Sequence, residues 1–391
     1  VTALRVLRVY HSAVVDEYRE RERHLRSAFG HDVHLVCPPR WSEGGTVVEA
    51  RPGGDLPVHI VDVRGRAHPI LFWYAQRPFR RLLRELRPDV VDLHEEPYSL
   101  AVSAALRAVR AEVPHARVCV YTAQNILKRY PPPIRQLEDR ALRRADACYP
   151  CSTEAGGVLR GKGYDGPLHV IPLGVSIPAQ TKVHADGPAV VGFLGRLESY
   201  KGAHVAVRAL AVARAAGADA RLEILGAGPQ EGELRALAAE LGIAGHVELG
   251  GAVPQDEALR RIATYDAVLI PSLTVSNWKE QFGRVAAQAM AAGVPVLASD
   301  TGSLPEVVAD PALLAPEGDA EAFGRRLFEL VTRPADRARL GERGRERAQE
   351  LFGWPEVAAD FDRMYRRVVD GDARDWSYAA VADRSMATDG R

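Results

Sequence analysis

Short apolar runs recur along this chain with a helix-sized gap between each pair, a rhythm that few folds accommodate. Residues 4–10, 33–37, 58–63, 90–94 and 118–121 are rich in Val, Leu and Ile and read as strands. Between them, 16–29 is a charged helical stretch stopped by Gly30, and 74–86 and 100–109 also carry a helical pattern. Strands spaced by helices of this length argue for a parallel sheet covered on both faces.

The rhythm breaks once and restarts. Residues 177–189 turn to Pro, Gln, Thr, Lys and Gly, which reads as a linker. A second series follows, with strands at 189–194, 221–225, 246–249, 267–270 and 294–299 and helices at 202–215, 256–263 and 320–331. An amphipathic helix is predicted at the end of the series, then a polar, loosely held tail. At roughly 100–200 residues per domain, a chain of 391 residues suits two or three, and the single break favours two. The expected division is an α/β chain of two doubly wound, Rossmann-like domains, 1–178 and 188–354, a last helix at 355–370 and a tail at 371–391.

Composition narrows the function by exclusion. Basic and acidic residues balance at a formal net charge of zero, so no global field draws the chain to nucleic acid or an acidic membrane. No run reaches the ~18–20 apolar residues of a membrane span, and no signal peptide is apparent, so a soluble, cytoplasmic protein is expected. Cys37, Cys119, Cys148 and Cys151 include one CxxC pair, with neither a second pair nor nearby histidines. That is a poor zinc site, and it closes a strand-like run rather than opening a helix, so reduced structural cysteines are expected. Lysine is rare in this chain, which gives weight to one inside a motif, such as Lys201.

Two motifs in the second half carry chemistry. Gly195-Arg196-Leu-Glu-Ser-Tyr-Lys201-Gly202 joins the first strand of that half to its helix. In a doubly wound sheet ligands sit at the carboxyl ends of strands, and a glycine turn there lets backbone N–H groups approach a phosphate. Arg196 offers a planar fork to a diphosphate and Lys201 a point charge. Read alone, the turn serves equally as a strand–helix connection bearing two exposed cations. The second motif is Glu280-Gln281-Phe282-Gly283-Arg284, running through Gln288 to Gly293 and Pro295. N–H groups at a helix start near 281–284 can bond a sugar hydroxyl or a phosphate. Gln288 lies eight residues on, a rise of at least ~12 Å at helical spacing, which separates a transferred sugar from a nucleoside ribose. The alternative is an acidic cap and an exposed helix glutamine.

Together these residues resemble the donor domain of retaining glycosyltransferases of family 4. The resemblance spans about residues 190–308 and rests on Gly195-Arg196-Leu197…Lys201-Gly202, Gly226-Ala-Gly228-Pro229, Pro271-Ser272, Glu280-x-Phe282-Gly283 and Gly302-x-x-Pro305-Glu306. It implies a GT-B fold, two such domains facing each other across a cleft, with the last helix crossing back to the first. It also implies a nucleoside-diphosphate-sugar donor, retention of anomeric configuration and no metal or cofactor. Arg196 and Lys201 would hold the diphosphate and Glu280 the sugar hydroxyls, with Gly195, Gly226, Gly228, Ser272, Gln281, Phe282, Gly283 and Arg284 around them. The family has a second glutamate where this chain has Gln288, beside the ribose. Glutamine accepts through one neutral oxygen only, so a donor built on deoxyribose, with one ring hydroxyl there, would lose less.

The first half matches more loosely. Relatives often carry a histidine in a Thr-x-His setting, where this chain reads Thr122-Ala-Gln124-Asn125. His11, His94, Glu95, Gln124 and Asn125 are the candidate acceptor-side groups; a histidine at a strand end also serves as a satisfied or solvated side chain. The aromatic run 70–74, followed by Arg77, Arg80 and Arg81, is expected to enter the core as part of an amphipathic helix; the alternatives are contact with a membrane surface and stacking on an acceptor. Arg19-Glu-Arg-Glu-Arg23 alternates in sign and reads as a solvated helix face. The leading reading is a hexosyl transferase acting on a small polar or metabolite acceptor. The alternatives are a nucleotide-sugar epimerase of the same fold and a nucleotide-sugar-binding protein without catalysis. A nicotinamide enzyme is disfavoured, since no GxGxxG follows either first strand.

Overall fold

A computed structural model describes residues 2–43, 46–66, 68–179 and 187–378. The chain forms two compact units, one built from Val1–Gly174 with Trp354–Arg391 and the other from Val175–Gly353. Most of the predicted linker, 180–186, and the tail from 379 lie outside the described residues.

The first unit carries a six-stranded sheet of β1 (Arg5–Val9), β2 (Asp32–Cys37), β3 (Val58–Ile60), β4 (Val90–Leu93), β5 (Arg117–Thr122) and β6 (Ala147–Pro150). Their order is β6-β5-β4-β1-β2-β3, parallel throughout, with Val6 opposite Val33 on one side and Val90 on the other. The second unit carries β7 (Ala189–Leu194), β8 (Ala220–Leu225), β9 (Val247–Gly251), β10 (Ala267–Ile270), β11 (Val296–Ser299) and β12 (Leu314–Ala315). Its order is β9-β8-β7-β10-β11-β12, again parallel, with Val191 between Leu222 and Ala267. Central strands covered on both faces need continuous apolar runs, and every residue of β4 and β10 is buried. Each sheet reverses its order between its first and fourth strands, which is where such folds place a ligand.

The helix Trp354–Asp370 belongs to the first unit. Phe361, Met364, Tyr365 and Val368 on one face pack with Val6, Val33, Val90 and Tyr149 of the sheet. A Cβ on Gly174 would meet the Trp354 ring at 2.1 Å, so bare backbone is required where the chain returns. Within the tail, Trp376–Ser377 pairs with His169–Val170 and Asp375 receives the guanidinium of Arg160 at 2.7 Å, so 371–378 is docked rather than loose.

Two further expectations fail locally, and one long helix was not expected. The alternating charges at 19–23 are not a solvated face: Arg19, Arg21 and Glu22 are buried. Arg21 donates to Asp92 of β4 at 2.7 Å and to Glu22 at 2.6 Å, and its guanidinium lies 3.8 Å over the Phe361 ring. Arg8 of β1 donates to Glu22 at 2.6 Å, and the Tyr365 hydroxyl donates to Asp92 at 2.6 Å. The alternating pattern is blind to these partners, which come from distant segments. Next, the aromatic run is not helical. Phe72–Tyr74 is a strand paired with Val63–Gly65, burying Phe72 and Tyr74 on alternate positions, and the helix starts only at Gln76. Last, the 18-residue helix Pro334–Leu351 has no counterpart in the sequence reading. Its contact surface includes Gly341, where a Cβ would meet the Gly293 carbonyl oxygen at 2.2 Å, so backbone replaces the apolar side chain a periodicity search looks for.

Candidate functional site

At the order reversal of the second sheet, glycines remove the side chains that would keep separate turns apart. Gly195 follows β7 and Gly226 follows β8; a Cβ on Gly226 would lie 1.8 Å from the Gly195 carbonyl oxygen, and one on Gly228 2.6 Å from that of Leu197. The two turns are joined by hydrogen bonds from Gly195 N–H to Leu225 O and from Leu197 N–H to Ala227 O, both 3.0 Å. Lys201 ends a short 3-10 turn, Ser199–Lys201, and Gly202 follows at φ +75. A Cβ there would strike the Pro271 carbonyl oxygen at 1.9 Å. This close approach brings Lys201 to the end of β10, where Pro271 and Ser272 leave the sheet.

Glu280 is the meeting point. Its Oε2 accepts from Lys201 Nζ and from the buried Ser272 hydroxyl, each at 2.9 Å. Its carbonyl oxygen accepts from the Ser303 N–H at 3.2 Å and from the Ser303 hydroxyl at 3.3 Å. Gly302 makes that second grip possible, because a Cβ at its φ of +61 would fall 2.3 Å from the Glu280 carbonyl oxygen. Two of the other motifs quoted from the sequence thus converge on the carboxylate of a third. Gly302 and Ser303 hold its backbone, a role that the spacing did not reveal.

The helix starts at Arg284, later than expected, with Gly283 as its N-cap at φ +78 and no capping side chain. Gln281 is exposed and Arg284 half-buried, while Phe282 turns inward, edge-on to Phe352 at 5.6 Å, and so anchors the turn. Gln288 lies on the second turn of the helix and is 8% exposed, which corrects the exposed-glutamine alternative. Arg196 is exposed, its guanidinium 5.8 Å from the Tyr200 ring centre. Among the described residues, no group of three or more His, Cys, Asp or Glu is placed to hold a metal ion. All four cysteines are buried, and burial pushes the Cys148 thiol up to about 12.

The corresponding reversal in the first unit brings together His11, after β1, and Glu95, after β4. The Glu95 carboxylate accepts the His11 backbone N–H at 2.8 Å and contacts His11 Nδ1 at 2.6 Å. Burial pulls the imidazole pKa down, but Glu95, with Glu43 nearby, more than reverses this and holds it above its usual value. His94 is packed between Tyr10 and Tyr121, at 4.3 and 3.9 Å between ring centres, with Nδ1 3.2 Å from the Tyr149 hydroxyl. Gln124 lies apart from this group. Its Oε1 accepts from Lys162, its Nε2 donates to the Tyr130 hydroxyl at 2.5 Å, and Lys162 also pairs with Glu138. Asn125 donates to Glu154 at 3.0 Å. Glu96 accepts from the Thr122 hydroxyl at 2.6 Å and the Ala123 N–H at 2.9 Å; withdrawal from water raises its pKa to about 7 against the pull of these donors.

Both units are similar to known proteins. The model for "Glycosyl transferases group 1" matches residues 178–347, and that for "Glycosyltransferase Family 4" matches 21–177. The MMP alpha-(1->4)-mannosyltransferase of Mycolicibacterium hassiacum is 32% identical over 52% of this chain and 49% of its own length. The 2-deoxystreptamine glucosyltransferase of Streptomyces kanamyceticus is 28% identical over 74% of this chain and 80% of its own. Most of the curated relatives are spanned over only about half their length. Among solved structures, Anabaena HepE in complex with UDP-glucose superposes with a TM-score of 0.69 at 16% identity, covering 93% of this chain and 99% of that one. No helix among the described residues is long and apolar enough to cross a membrane. Two glycosyltransferase models cover 21–347 between them, so the chain is a glycosyltransferase, and its fold is the GT-B fold of solved glycosyltransferases.

Proposed function

We propose that this protein is a retaining transferase that moves a sugar from a nucleoside diphosphate to a small polar acceptor. The observation that carries the reading is the convergence of Lys201, Ser272 and Glu280 at the carboxyl ends of β7 and β10. A cation and a carboxylate held 2.9 Å apart at the order reversal of a doubly wound sheet suit a ligand with an anionic part and a hydroxylated part. The named activities of the two relatives, and UDP-glucose in the HepE complex, support the same ligand class.

On this reading Lys201 leaves Glu280 for the diphosphate, Arg196 joins it, and Glu280 turns its freed oxygen to the sugar hydroxyls. The bond from the anomeric carbon to the diphosphate oxygen breaks while the acceptor hydroxyl bonds to the same face. The acceptor proton passes to the departing phosphate oxygen, so no protein base is required. Arg196 and Lys201 balance the charge that grows on the leaving group without a metal ion. A well-placed donor of this kind contributes ~3–4 kcal/mol. Gln124, with both ends of its amide engaged, is a scaffold here rather than a base. His11 and Glu95 are the polar pair we assign to acceptor recognition.

Calorimetric titration with dTDP, UDP and GDP tests the donor site directly; binding of none of the three would end this reading. Lys201→Ala should lower turnover about 10²- to 10³-fold, and near-normal turnover would remove the diphosphate assignment. Buried Gln288 bears on the base and sugar of the nucleotide. Gln288→Glu should shift preference from dTDP toward UDP or GDP, because a carboxylate accepts from both ribose hydroxyls. An unchanged order of affinities would mean that Gln288 does not face the ribose.

A further inference from the structure

The segment between Ser272 and Glu280 makes an excursion that the site described so far does not use. It is firmly held. Leu273 N–H donates to the Tyr200 carbonyl oxygen at 2.7 Å, and the Thr274 hydroxyl bonds Glu317 at 2.9 Å and Thr301 at 2.7 Å. Val275 and Trp278 then close a tight turn on each other through backbone hydrogen bonds of 2.9 and 3.3 Å. The effect is to return Trp278 to the donor motif. Its ring lies against Tyr200 at 4.3 Å between centres, and Lys201 Nζ sits 4.5 Å from its centre.

We propose that Trp278 is a positioning residue that holds the Lys201 ammonium ready for the donor diphosphate, an inference that rests on the donor site proposed above. Two groups grip Lys201 in the free protein, Glu280 by an ion pair and Trp278 by its π face. They respond differently when an anion arrives. The Glu280 carboxylate engages an N–H of Lys201 and competes with phosphate for it. An aromatic face attracts the cation through its quadrupole and leaves the three N–H donors to point elsewhere. Trp278 therefore keeps its hold while Lys201 exchanges Glu280 for phosphate. Lysine needs such support more than arginine does, having a flexible four-carbon stem and no planar fork. Tyr200 backs the indole and precedes Lys201 in the chain, so ring and ammonium are referred to one short turn.

The test is a double-mutant cycle on diphosphate affinity, using the tightest of dTDP, UDP and GDP as probe, with near-UV circular dichroism confirming the fold of each variant. Trp278→Ala should weaken binding about 2- to 30-fold, the span of cation–π attractions from exposed to desolvated sites, and Trp278→Phe should restore most of the loss. In a Lys201→Ala background Trp278→Ala should cost nothing further. Diphosphate binding should also change the tryptophan fluorescence of the wild type, and that change should vanish in Trp278→Phe. An undiminished loss in the Lys201→Ala background, or a Phe variant as weak as the Ala variant, would overturn the proposal while leaving the donor site standing. Failure of the wild type to bind any of the three diphosphates would instead overturn the donor site and this inference with it.

Discussion

The two units repeat one strand order and put very different material at the place where it reverses. In the second unit the reversal is made of backbone: Gly195, Gly202, Gly226, Gly228 and Gly302 let turns touch, and one carboxylate collects Lys201 and Ser272. In the first unit the same place is filled by rings and ion pairs, with His94 between Tyr10 and Tyr121, His11 against Trp41 at 4.6 Å, and Glu95 closed onto His11. The sheet order fixes where a ligand can sit. Whether polar atoms are left to receive one depends on how much side chain is removed around that spot.

The comparison can be broken most forcefully in the first unit. Arg21→Ala leaves Asp92 and Glu22 buried beside a missing guanidinium, which should cost about 3–5 kcal/mol of stability. Urea unfolding should show that loss, and nucleoside diphosphate affinity at the second unit should be kept wherever the variant remains folded. A small loss would mean that water enters the network. Next in size is Gly202→Ala. It combines a φ of +75 with a Cβ 1.9 Å from Pro271 O, so about 1–3 kcal/mol of strain is expected, together with weaker diphosphate binding as Lys201 is displaced. If denaturation and calorimetry both show no change, the backbone contact is not what places Lys201.

The third effect concerns pH. Glu96 has a folded pKa raised to about 7 from a usual 4.5. Its contribution is therefore fully present below about 4.5 and is lost as pH climbs through about 7, since ionising it in the folded protein is harder than in the unfolded one. Glu96→Gln removes that titration, so its unfolding free energy relative to wild type should rise between pH 5 and 8. A constant difference would show that Glu96 ionises normally.

How much of this was legible in sequence follows the same division. The motifs of the second unit were readable because glycine, lysine and glutamate at strand ends have local reasons to be there, and the spacing from Gly195 to Gly302 survives as geometry. The grip of Ser303 on the Glu280 carbonyl was not readable, because a backbone acceptor leaves no mark in the sequence. Trp278 gave a faint signal as an aromatic two residues before Glu280, with Tyr200 beside Lys201. Residues 19–23 misled for a physical reason. Alternating charge normally seeks water; here Arg8, Asp92 and Tyr365, with the Ala13 and Arg51 carbonyl oxygens that accept from Arg19, make burial tolerable. At 70–74, an aromatic run alternating in burial every second residue was read with a helical period.

The helix Trp354–Asp370 lies after the whole second unit in the chain, yet its Phe361, Met364, Tyr365 and Val368 complete the core of the first. During synthesis the sheet of residues 5–150 therefore emerges with one face uncovered and Asp92 short of its Tyr365 partner. It must wait in that state while some 180 further residues, Val175–Gly353, are made. A second unit that folds on emergence shortens the effective loop to be closed, because its own two ends are joined by the Val175–Gly353 bridge. The order of translation thus makes the second unit the first to finish, and the first unit dependent on it for its last helix.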